Sequence, residues 1–394
     1  GLTPSEILKV DFFLRYLDSE NEFDASGGPG GDAPDNLSSR KTLLIGSKGH
    51  IDLFDSVWRQ NIGVSVATHD RTSESAWGES EFDSQMLKAE WQNDIYLDKA
   101  GILTAGLEFE TEEGESDSFS KVSTDTISIF AQDQLRLSSA CNVTLGTRLD
   151  SREDFDEEAT YRIAPVYKIK RTGTRLKATY GTGFKTPSLY QLYAPATMWG
   201  PIGNEDLEPE RIISWDAGFE QELLSNKMLV GITYFQNNYE DMIDFVVGYQ
   251  NISEAETKGV ELVSNMKISD SLSIAANYTY LETEDKDTGD NLIRRPKHSG
   301  SAGANWQWTK RGMININLIY VGERDDRYYD SSMFMSLDSE LSDYTLVNIA
   351  TSYAVNDHLE IFGRIDNLLD EDYEEVTGYG TPGLSGYAGI KASL

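Results

Sequence analysis

The feature of this sequence that most constrains its fold is a period of two in hydrophobicity, which recurs in segments of about ten residues along the whole chain. Ile316 and Leu318, for example, alternate with Asn315 and Asn317. Residues 272–280 follow the same pattern, with one apolar set made of Leu272, Ile274, Ala276, Tyr278 and Tyr280. Since successive side chains of a β-strand point to opposite faces, each segment predicts a strand with one apolar and one polar face.

The connections between these segments are alternately short and long. Short ones lie near residues 54–56, 97–100, 138–141, 171–173, 224–226, 269–270, 309–311 and 355–357. Long polar, acidic or glycine-rich stretches lie between them, at residues 18–38, 70–80, 112–121, 185–210, 282–291 and 323–340. A soluble sandwich would also alternate, but short turns on one side and long loops on the other are typical of bacterial outer-membrane barrels. Residues 1–394 are therefore predicted to be all-β, an antiparallel transmembrane β-barrel with about eighteen strands.

In such a barrel the apolar faces of the strands meet lipid and the polar faces line the lumen. We therefore predict that Ile274, Tyr278, Ile316 and Leu318 face lipid. The side chains predicted to face the lumen are those of Asn277, Asn315 and Asn317. The C-terminal segment also has an apolar face, formed by Gly386, Ala388, Ile390, Ala392 and Leu394.

Composition excludes several other classes of protein. Acidic residues outnumber basic ones 66 to 34, so nucleic acid, which needs a basic surface, is excluded as a partner. No run approaches the roughly 18 apolar residues that a membrane helix requires. Cys141 is the only cysteine, and the four histidines are scattered outside any catalytic motif. We therefore predict that the chain is not an enzyme.

Three stretches resemble the TonB-dependent receptors of the Gram-negative outer membrane. Residues 180–193, followed by residues 203–210, are similar to the family's Y-G-x-x-F-K-x-P strand end and N-P-x-L-x-P-E loop, with Glu205 in place of the usual proline. Residues 251–261 resemble its N-x-x-x-A-x-x-x-G-V-E strand, and residues 364–374 its N-L-F-D-K-x-Y segment. The three stretches occur in the family's order and cover the C-terminal half of the chain.

The resemblance implies a location in the cell outer membrane, which the chain would cross many times in contact with lipid. It also implies a barrel of about 22 strands, of which these residues would supply the last eighteen or so. Such receptors contact the TonB complex through an N-terminal plug. The chain resembles a receptor without that plug and without the first two hairpins of the barrel.

Within the family, residues 292–297 and 370–383 resemble cobalamin transporters, and residues 18–25 resemble their calcium-binding loop. In this resemblance Asp24 and Asp35 correspond to calcium-binding aspartates. From the residues alone, a flexible glycine-rich loop can bring carboxylates together around a hard cation. Calcium is therefore the predicted cofactor, with the candidate ligands Asp18, Asp24, Asp32 and Asp35. The alternative is a solvated acidic loop that binds no metal.

Exposed aromatic side chains on the long loops are the candidates for substrate contact, because they can grip a large planar ligand with little loss of entropy. The first cluster consists of Tyr190, Tyr193, Met198 and Trp199, followed by Asn204. Tyr328 and Tyr329 form the second cluster. The alternative is that these rings belong to an aromatic belt or to loop packing.

The leading functional prediction is a TonB-dependent receptor that takes up a scarce bulky nutrient, cobalamin or another corrinoid. One alternative is a siderophore or haem receptor of the same family, since His69 and His298 leave haem ligation open. A passive porin-like channel is the other main alternative. A structural or adhesive surface protein is a third class.

Overall fold

The computed structural model describes residues 1–394 except 25–32, 34, 77, 197–199, 246–247, 331–332, 334 and 394. Nineteen strands of the described chain form one antiparallel sheet, and two further strands form a separate hairpin. Each strand of the large sheet pairs with the next one along the chain, apart from β16, which pairs with β19 across the inserted hairpin. The predicted all-β antiparallel architecture is therefore confirmed, with nineteen strands in place of about eighteen.

The elements are β1 Leu2–Ser5, β2 Leu8–Glu22, β3 Leu37–Leu53, β4 Trp58–Ser75, β5 Gly78–Tyr96, β6 Gly101–Ser116, β7 Phe119–Arg136, β8 Cys141–Arg152, β9 Phe155–Ile169, β10 Thr174–Lys185, α1 Leu189–Tyr193, β11 Glu210–Leu223, β12 Met228–Phe245, β13 Tyr249–Lys267, β14 Leu272–Asp285, β15 His298–Thr309, β16 Gly312–Val321, β17 Arg324–Asp330, β18 Met335–Leu341, β19 Tyr344–Asn356, β20 Leu359–Asp366 and β21 Ser385–Ala392. In the described part of the chain no helix is long and apolar enough to span a membrane.

The predicted short turns are all present on one side of the sheet. Two of them are tight enough to place three consecutive residues in the left-handed region, at 54–56 and 224–226. The opposite side differs from prediction, because residues 70–80 and 112–121 are largely strand. β4 continues to Ser75 and β5 begins at Gly78, while β6 continues to Ser116 and β7 begins at Phe119. Polar residues do not interrupt these strands, since hydrogen bonding to neighbouring strands continues to the tips.

The pairing confirms that the predicted apolar and polar sets lie on opposite faces. Ile316 lies opposite Ala304 on one side and Ile349 on the other, and its side chain is 43% exposed. Asn315 lies opposite Asn305 on the other face and donates a hydrogen bond to its Oδ1 over 2.8 Å. Following this register from strand to strand shows that the predicted apolar residues share one face, which we call the outer face. The three asparagines lie on the opposite, inner face, which also carries ion pairs such as Arg175–Glu220.

Aromatic side chains also pair across neighbouring strands on the outer face. The Trp215 and Tyr234 rings lie 5.2 Å apart, and Tyr161 stacks on Tyr180 at 6.0 Å. Near the short turns, Trp308 stacks on Tyr353 at 5.8 Å. Aromatic rings on an apolar outer face are typical of a protein wall that crosses a bilayer.

The two edges of the sheet are unpaired in the described part of the chain. β21 pairs with β20 alone, and β1 covers β2 only near Leu8 and Val10. Beyond Val10 the free side of β2 carries an exposed apolar row on its outer face, in which Phe12 is 64% and Leu14 is 69% exposed.

Phenylalanine rings cover glycines on the neighbouring strand at four places on the inner face. The directly opposed pairs are Phe13–Gly46, Phe130–Gly106, Phe235–Gly259 and Phe362–Gly389. In each pair a Cβ on the glycine would collide with the ring. The ring fills the space that the glycine leaves, which fixes the register of the two strands.

Replacing Gly259 by alanine is expected to lower the free energy of unfolding by about 1–3 kcal/mol through overpacking. Its new Cβ would meet the Tyr280 carbonyl oxygen and lie 2.8 Å from Cζ of the Phe235 ring. The measurement is urea unfolding of the protein refolded into lipid vesicles. Gly386→Ala is the matched control, because nothing lies within 4 Å of a Cβ there. Equal losses for the two variants would show that the Phe–Gly contact does not matter.

Candidate functional site

The connection between β10 and β11 folds back onto the inner face of the sheet. Its helix α1 begins with a capping box, in which Ser188 and Gln191 each accept a backbone N–H from the other. Leu189 and Leu192 are buried. Leu189 packs against Gly114 of β6, and a Cβ added to that glycine would lie 3.1 Å from the Cδ1 atom of Leu189. Two buried leucines on one side of this short helix leave Tyr190 on the other side, free to face the mouth of the barrel.

Arg152 of β8 holds this connection in place. Its guanidinium donates to Thr186 Oγ1 over 3.1 Å and forms ion pairs with Glu112 at 3.2 Å and Asp154 at 3.4 Å. The Tyr193 hydroxyl reaches the same Asp154 carboxylate at 3.5 Å. Burial, and then the charge of Asp154, raise the pKa of Tyr193, so the phenol stays neutral and remains a donor. The Arg152 side chain is only 5% exposed.

Five aromatic rings continue from strand to strand across the mouth, and we call them the aromatic chain. The centroid of Phe82 lies 6.3 Å from Phe119, and Phe119 lies 6.4 Å from Tyr190. Tyr190 lies 6.4 Å from Tyr249, which lies 5.2 Å from Phe245. The aromatic chain thus joins β5, β7, α1, β13 and β12. Tyr190 is 41% and Phe245 is 52% exposed, so these rings can contact a ligand.

A cavity of about 360 Å³ lies beside the aromatic chain. Arg71, Phe82 and Tyr190 line it, together with the hydroxyl-bearing residues Ser73, Ser80, Ser116 and Ser118 and the acidic residues Glu81 and Asp117. Arg71 lies directly opposite Phe82 in the pairing of β4 with β5. A guanidinium beside aromatic rings and hydroxyl groups can bind a planar anionic group by charge, stacking and hydrogen bonds.

The structure distributes the first predicted substrate cluster over different roles. Tyr190 belongs to the aromatic chain, whereas Tyr193 fixes α1 through Asp154. Asn204 lies beside the site, but its amide is engaged within the loops: Nδ2 donates to the Tyr249 carbonyl over 3.1 Å, and Oδ1 accepts the Asp206 N–H over 3.0 Å. Met198 and Trp199 lie outside the described residues.

The second predicted cluster lies in the hairpin of β17 and β18, away from α1. Tyr329 is exposed there and Tyr328 is half-buried. The hairpin is fixed by Asp326, which accepts from Arg294 Nε over 2.6 Å and from the Thr377 N–H over 2.7 Å. Burial opposes ionisation of Asp326, but the hydrogen bonds from Thr377 and Arg294 outweigh it and lower the pKa of that carboxyl. The hairpin is thus a rigid, separate part of the outer rim.

The predicted calcium ligands are spread along β2 and the connection after it. Asp18 lies within β2, where the Tyr16 hydroxyl donates to it over 3.3 Å. Asp24 accepts the Ala33 N–H over 3.3 Å, and Asp35 lies at a turn. Asp32 lies outside the described residues. Among the residues that are described, no group of three or more His, Cys, Asp or Glu side chains is arranged to hold a metal ion. Calcium stays a prediction.

Sequence reasoning missed Arg71, Phe82, Phe119, Phe245 and Tyr249. Arg71 and Phe119 lie within the segments 70–80 and 112–121 that the sequence predicts to be loops, and Phe82 lies just after the first of them. Phe245 and Tyr249 lie far along the sequence on two neighbouring strands, and only the register of the sheet brings their rings to the same mouth. The four aromatic residues share one signal in the sequence, which is a position at or beside the end of a strand near a connection.

Comparison with known proteins agrees with this architecture. Residues 3–368 match the family model described as TonB dependent receptor-like, beta-barrel. The siderophore receptor PirA from Acinetobacter baumannii has a TM-score of 0.84 at 16% identity, over 100% of this chain and 69% of that chain. A mutant of the ferric enterobactin receptor PfeA from Pseudomonas aeruginosa gives 0.82 at 17%, over 99% and 68%. The ferric-catecholate import receptor Fiu from K12 E. coli gives 0.78 at 13%, over 98% and 72%.

At these identities the solved structures show a shared fold, and the family match covers most of the chain. The members of that family are receptors and transporters of the outer membrane rather than enzymes. The chain belongs to the TonB-dependent receptor family, as part of its β-barrel.

Proposed function

We propose that this chain forms the wall and mouth of a receptor that takes up a ferric siderophore with aromatic, anionic iron-binding groups. Energy would come from TonB through a plug inside the barrel. The observation that carries the proposal is the aromatic chain with Arg71 at its β5 end. The structural relatives named as siderophore and ferric-catecholate receptors support the same substrate class.

The dimensions of the site suit a ligand with several flat rings. The ring centroids of the aromatic chain are spaced 5.2 to 6.4 Å apart and belong to five elements of the fold. A ligand could therefore lie against more than one ring at once, and aromatic contacts add binding energy beyond the area they bury. The cavity of about 360 Å³ lies within the usual range of small-molecule sites.

A siderophore replaces cobalamin as the preferred ligand for two reasons. The side chain amide of Asn204, a candidate for corrinoid contact, is engaged by the loops themselves. The cavity instead places the Arg71 guanidinium beside aromatic rings, where it can pair with an anionic aromatic group, while Glu81 and Asp117 line the same cavity. A passive pore is disfavoured, because the connection between β10 and β11 is fixed across the inner face by Arg152 instead of leaving the mouth open.

Binding of a ferric tris-catecholate siderophore to the purified protein in detergent tests the proposal, with cyanocobalamin and haem as competing ligands. Tyr190→Ala is expected to weaken siderophore binding about 30-fold, because it removes the central ring of the aromatic chain. Tyr379→Ala is the matched control, since Tyr379 lies in the connection between β20 and β21. Its affinity should change less than about twofold.

The readout is quenching of intrinsic fluorescence or isothermal calorimetry. Tight binding of cyanocobalamin with no binding of the siderophore would overturn the proposal. So would siderophore binding that is insensitive to Tyr190→Ala.

A further inference from the structure

One charged side chain interrupts the apolar outer face near the short turns. Asp133 of β7 lies directly opposite Leu103 of β6 on one side and Leu145 of β8 on the other. Phe130 on the same strand covers Gly106 on the inner face, so the alternation along β7 places Asp133 on the outer face. In the described strands it is the one charged residue on that face between the short turns and the charged strand ends near the long loops.

The protein itself supplies no counter-charge to this carboxylate. The Oδ1 atom of Asp133 is buried and makes no hydrogen bond, and no ion pair reaches the side chain in the part of the chain that the structure describes. Arg136, the nearest cation along β7, alternates to the inner face. A charged group without a partner is costly at the lipid surface, and such residues usually mark a functional contact. Asp133 is only half-buried, so a partner can reach it from the lipid side.

The height of Asp133 in the membrane limits what this partner can be. Asp133 lies four residues before Leu137, the first residue of its turn, which for tilted strands is about 10 Å from the turn along the membrane normal. Asn93 of β5 lies four residues before its own turn, and there the Trp58 indole N–H donates to Asn93 Oδ1 over 3.0 Å on the outer face. Tryptophan N–H groups with polar partners are typical of the headgroup boundary. Since short turns face the periplasm, Asp133 lies where the headgroups of the periplasmic leaflet meet the hydrocarbon.

The wall beyond Asp133, toward the middle of the membrane, can accommodate an acyl chain. Ala105 and Ala131 lie directly opposite each other on the outer face there. The next outer pair, Leu107 and Ile129, is large and exposed. The two methyl side chains therefore leave a shallow gap in a bulky apolar surface. A chain packed in this gap would bring its headgroup to Asp133.

We propose that Asp133 binds the primary ammonium of phosphatidylethanolamine in the periplasmic leaflet, with an acyl chain over Ala105 and Ala131. An ammonium carries three N–H donors, and its hydrogen bonds to a carboxylate are assisted by charge. Phosphatidylcholine has a methylated ammonium without N–H groups, and phosphatidylglycerol carries no cation, so neither lipid can replace it. The site lies on the lipid side of the wall and goes beyond uptake at the mouth.

The first measurement is the association of spin-labelled lipids with the protein refolded into phosphatidylcholine vesicles. The parent protein is expected to prefer phosphatidylethanolamine over phosphatidylcholine about three- to fivefold, as for a half-exposed ion pair. Asp133→Asn keeps the shape but loses the charge, so the preference should fall below about 1.5-fold. Asp125→Asn is the matched control, because it removes the same charge from the outer face of β7 near the long loops, where Asp125 already accepts from the Thr111 hydroxyl over 2.7 Å. It should keep the preference of the parent protein.

Urea unfolding in two membranes is the second measurement. In phosphatidylcholine vesicles Asp133→Asn is expected to raise the midpoint, because it removes an unpaired charge from the lipid face. In an equimolar mixture with phosphatidylethanolamine this gain should disappear, since the parent carboxylate is then paired. A gain of the same size in both membranes would overturn the proposal, as would a lipid preference that Asp133→Asn leaves unchanged. Loss of self-association in Asp133→Asn with an unchanged lipid preference, measured by analytical ultracentrifugation in detergent, would instead assign the carboxylate to a contact with a second copy of the chain.

Discussion

Lysine in place of Ile316 is expected to lower the free energy of unfolding by about 2–4 kcal/mol in a bilayer. Ile316 lies near the middle of β16, on the outer face between Ala304 and Ile349. A lysine there would place an ammonium group in hydrocarbon. Urea unfolding of the protein in lipid vesicles, followed by tryptophan fluorescence, measures the loss.

Asn317→Lys is the matched control, one residue along the same strand. Asn317 lies on the inner face, where water can solvate the new charge, so the expected change is about 0.5 kcal/mol or less. A shift of the register by one residue would exchange the two faces. A larger loss for Asn317→Lys than for Ile316→Lys would therefore show that the assignment of inner and outer faces is reversed.

Glutamine in place of Arg152 is expected to cost about 3 kcal/mol of stability and to loosen the connection between β10 and β11. The substitution leaves the Glu112 and Asp154 carboxylates close together without the cation that bridges them. Breaking a buried ion pair from one side typically costs about 3–5 kcal/mol. The lower end applies here, because part of the Glu112 side chain reaches solvent. Arg152→Lys should recover part of the loss, since lysine restores the positive charge but not the planar guanidinium that donates several hydrogen bonds at once.

The readouts are urea unfolding, limited proteolysis within residues 186–209, and siderophore affinity. Arg175→Gln is the control, because its ion pair with Glu220 is more exposed and should cost under about 1 kcal/mol. Arg152 acts on the ligand only by positioning Tyr190. In a Tyr190→Ala background, Arg152→Gln should therefore weaken binding no further. An additional loss in that background would mean that Arg152 contacts the ligand itself.

The strands and turns within the bilayer could be predicted from the sequence, because lipid on one side and water on the other force a strict alternation. Ile316 and Asn317 show this signal clearly. Above the bilayer both faces of a strand are in water, so apolar and polar residues no longer alternate along it. Residues 70–75 and 78–83 accordingly had the composition of a loop, although they are paired strand.

The candidate site was harder to predict, because it depends on contacts between distant strands. Tyr190 could be proposed from the sequence because it follows a recognisable family segment. Phe82 and Tyr249 are 167 residues apart in the sequence, and only the order and register of the strands between them bring both rings into the aromatic chain. Residues 292–297 and 370–383 resemble cobalamin transporters, but neither segment contributes to the aromatic chain, and cobalamin stays a prediction.

The unpaired edges of β2 and β21 affect how this sheet inserts into the membrane. Every backbone amide and carbonyl left without a partner in hydrocarbon costs several kcal/mol. The apolar row at Phe12 and Leu14 nevertheless drives β2 toward lipid. These opposing demands are met only when both margins become paired, against each other or against further strands. Insertion and closure are therefore expected to occur together, because a wall with unpaired margins is unstable in hydrocarbon.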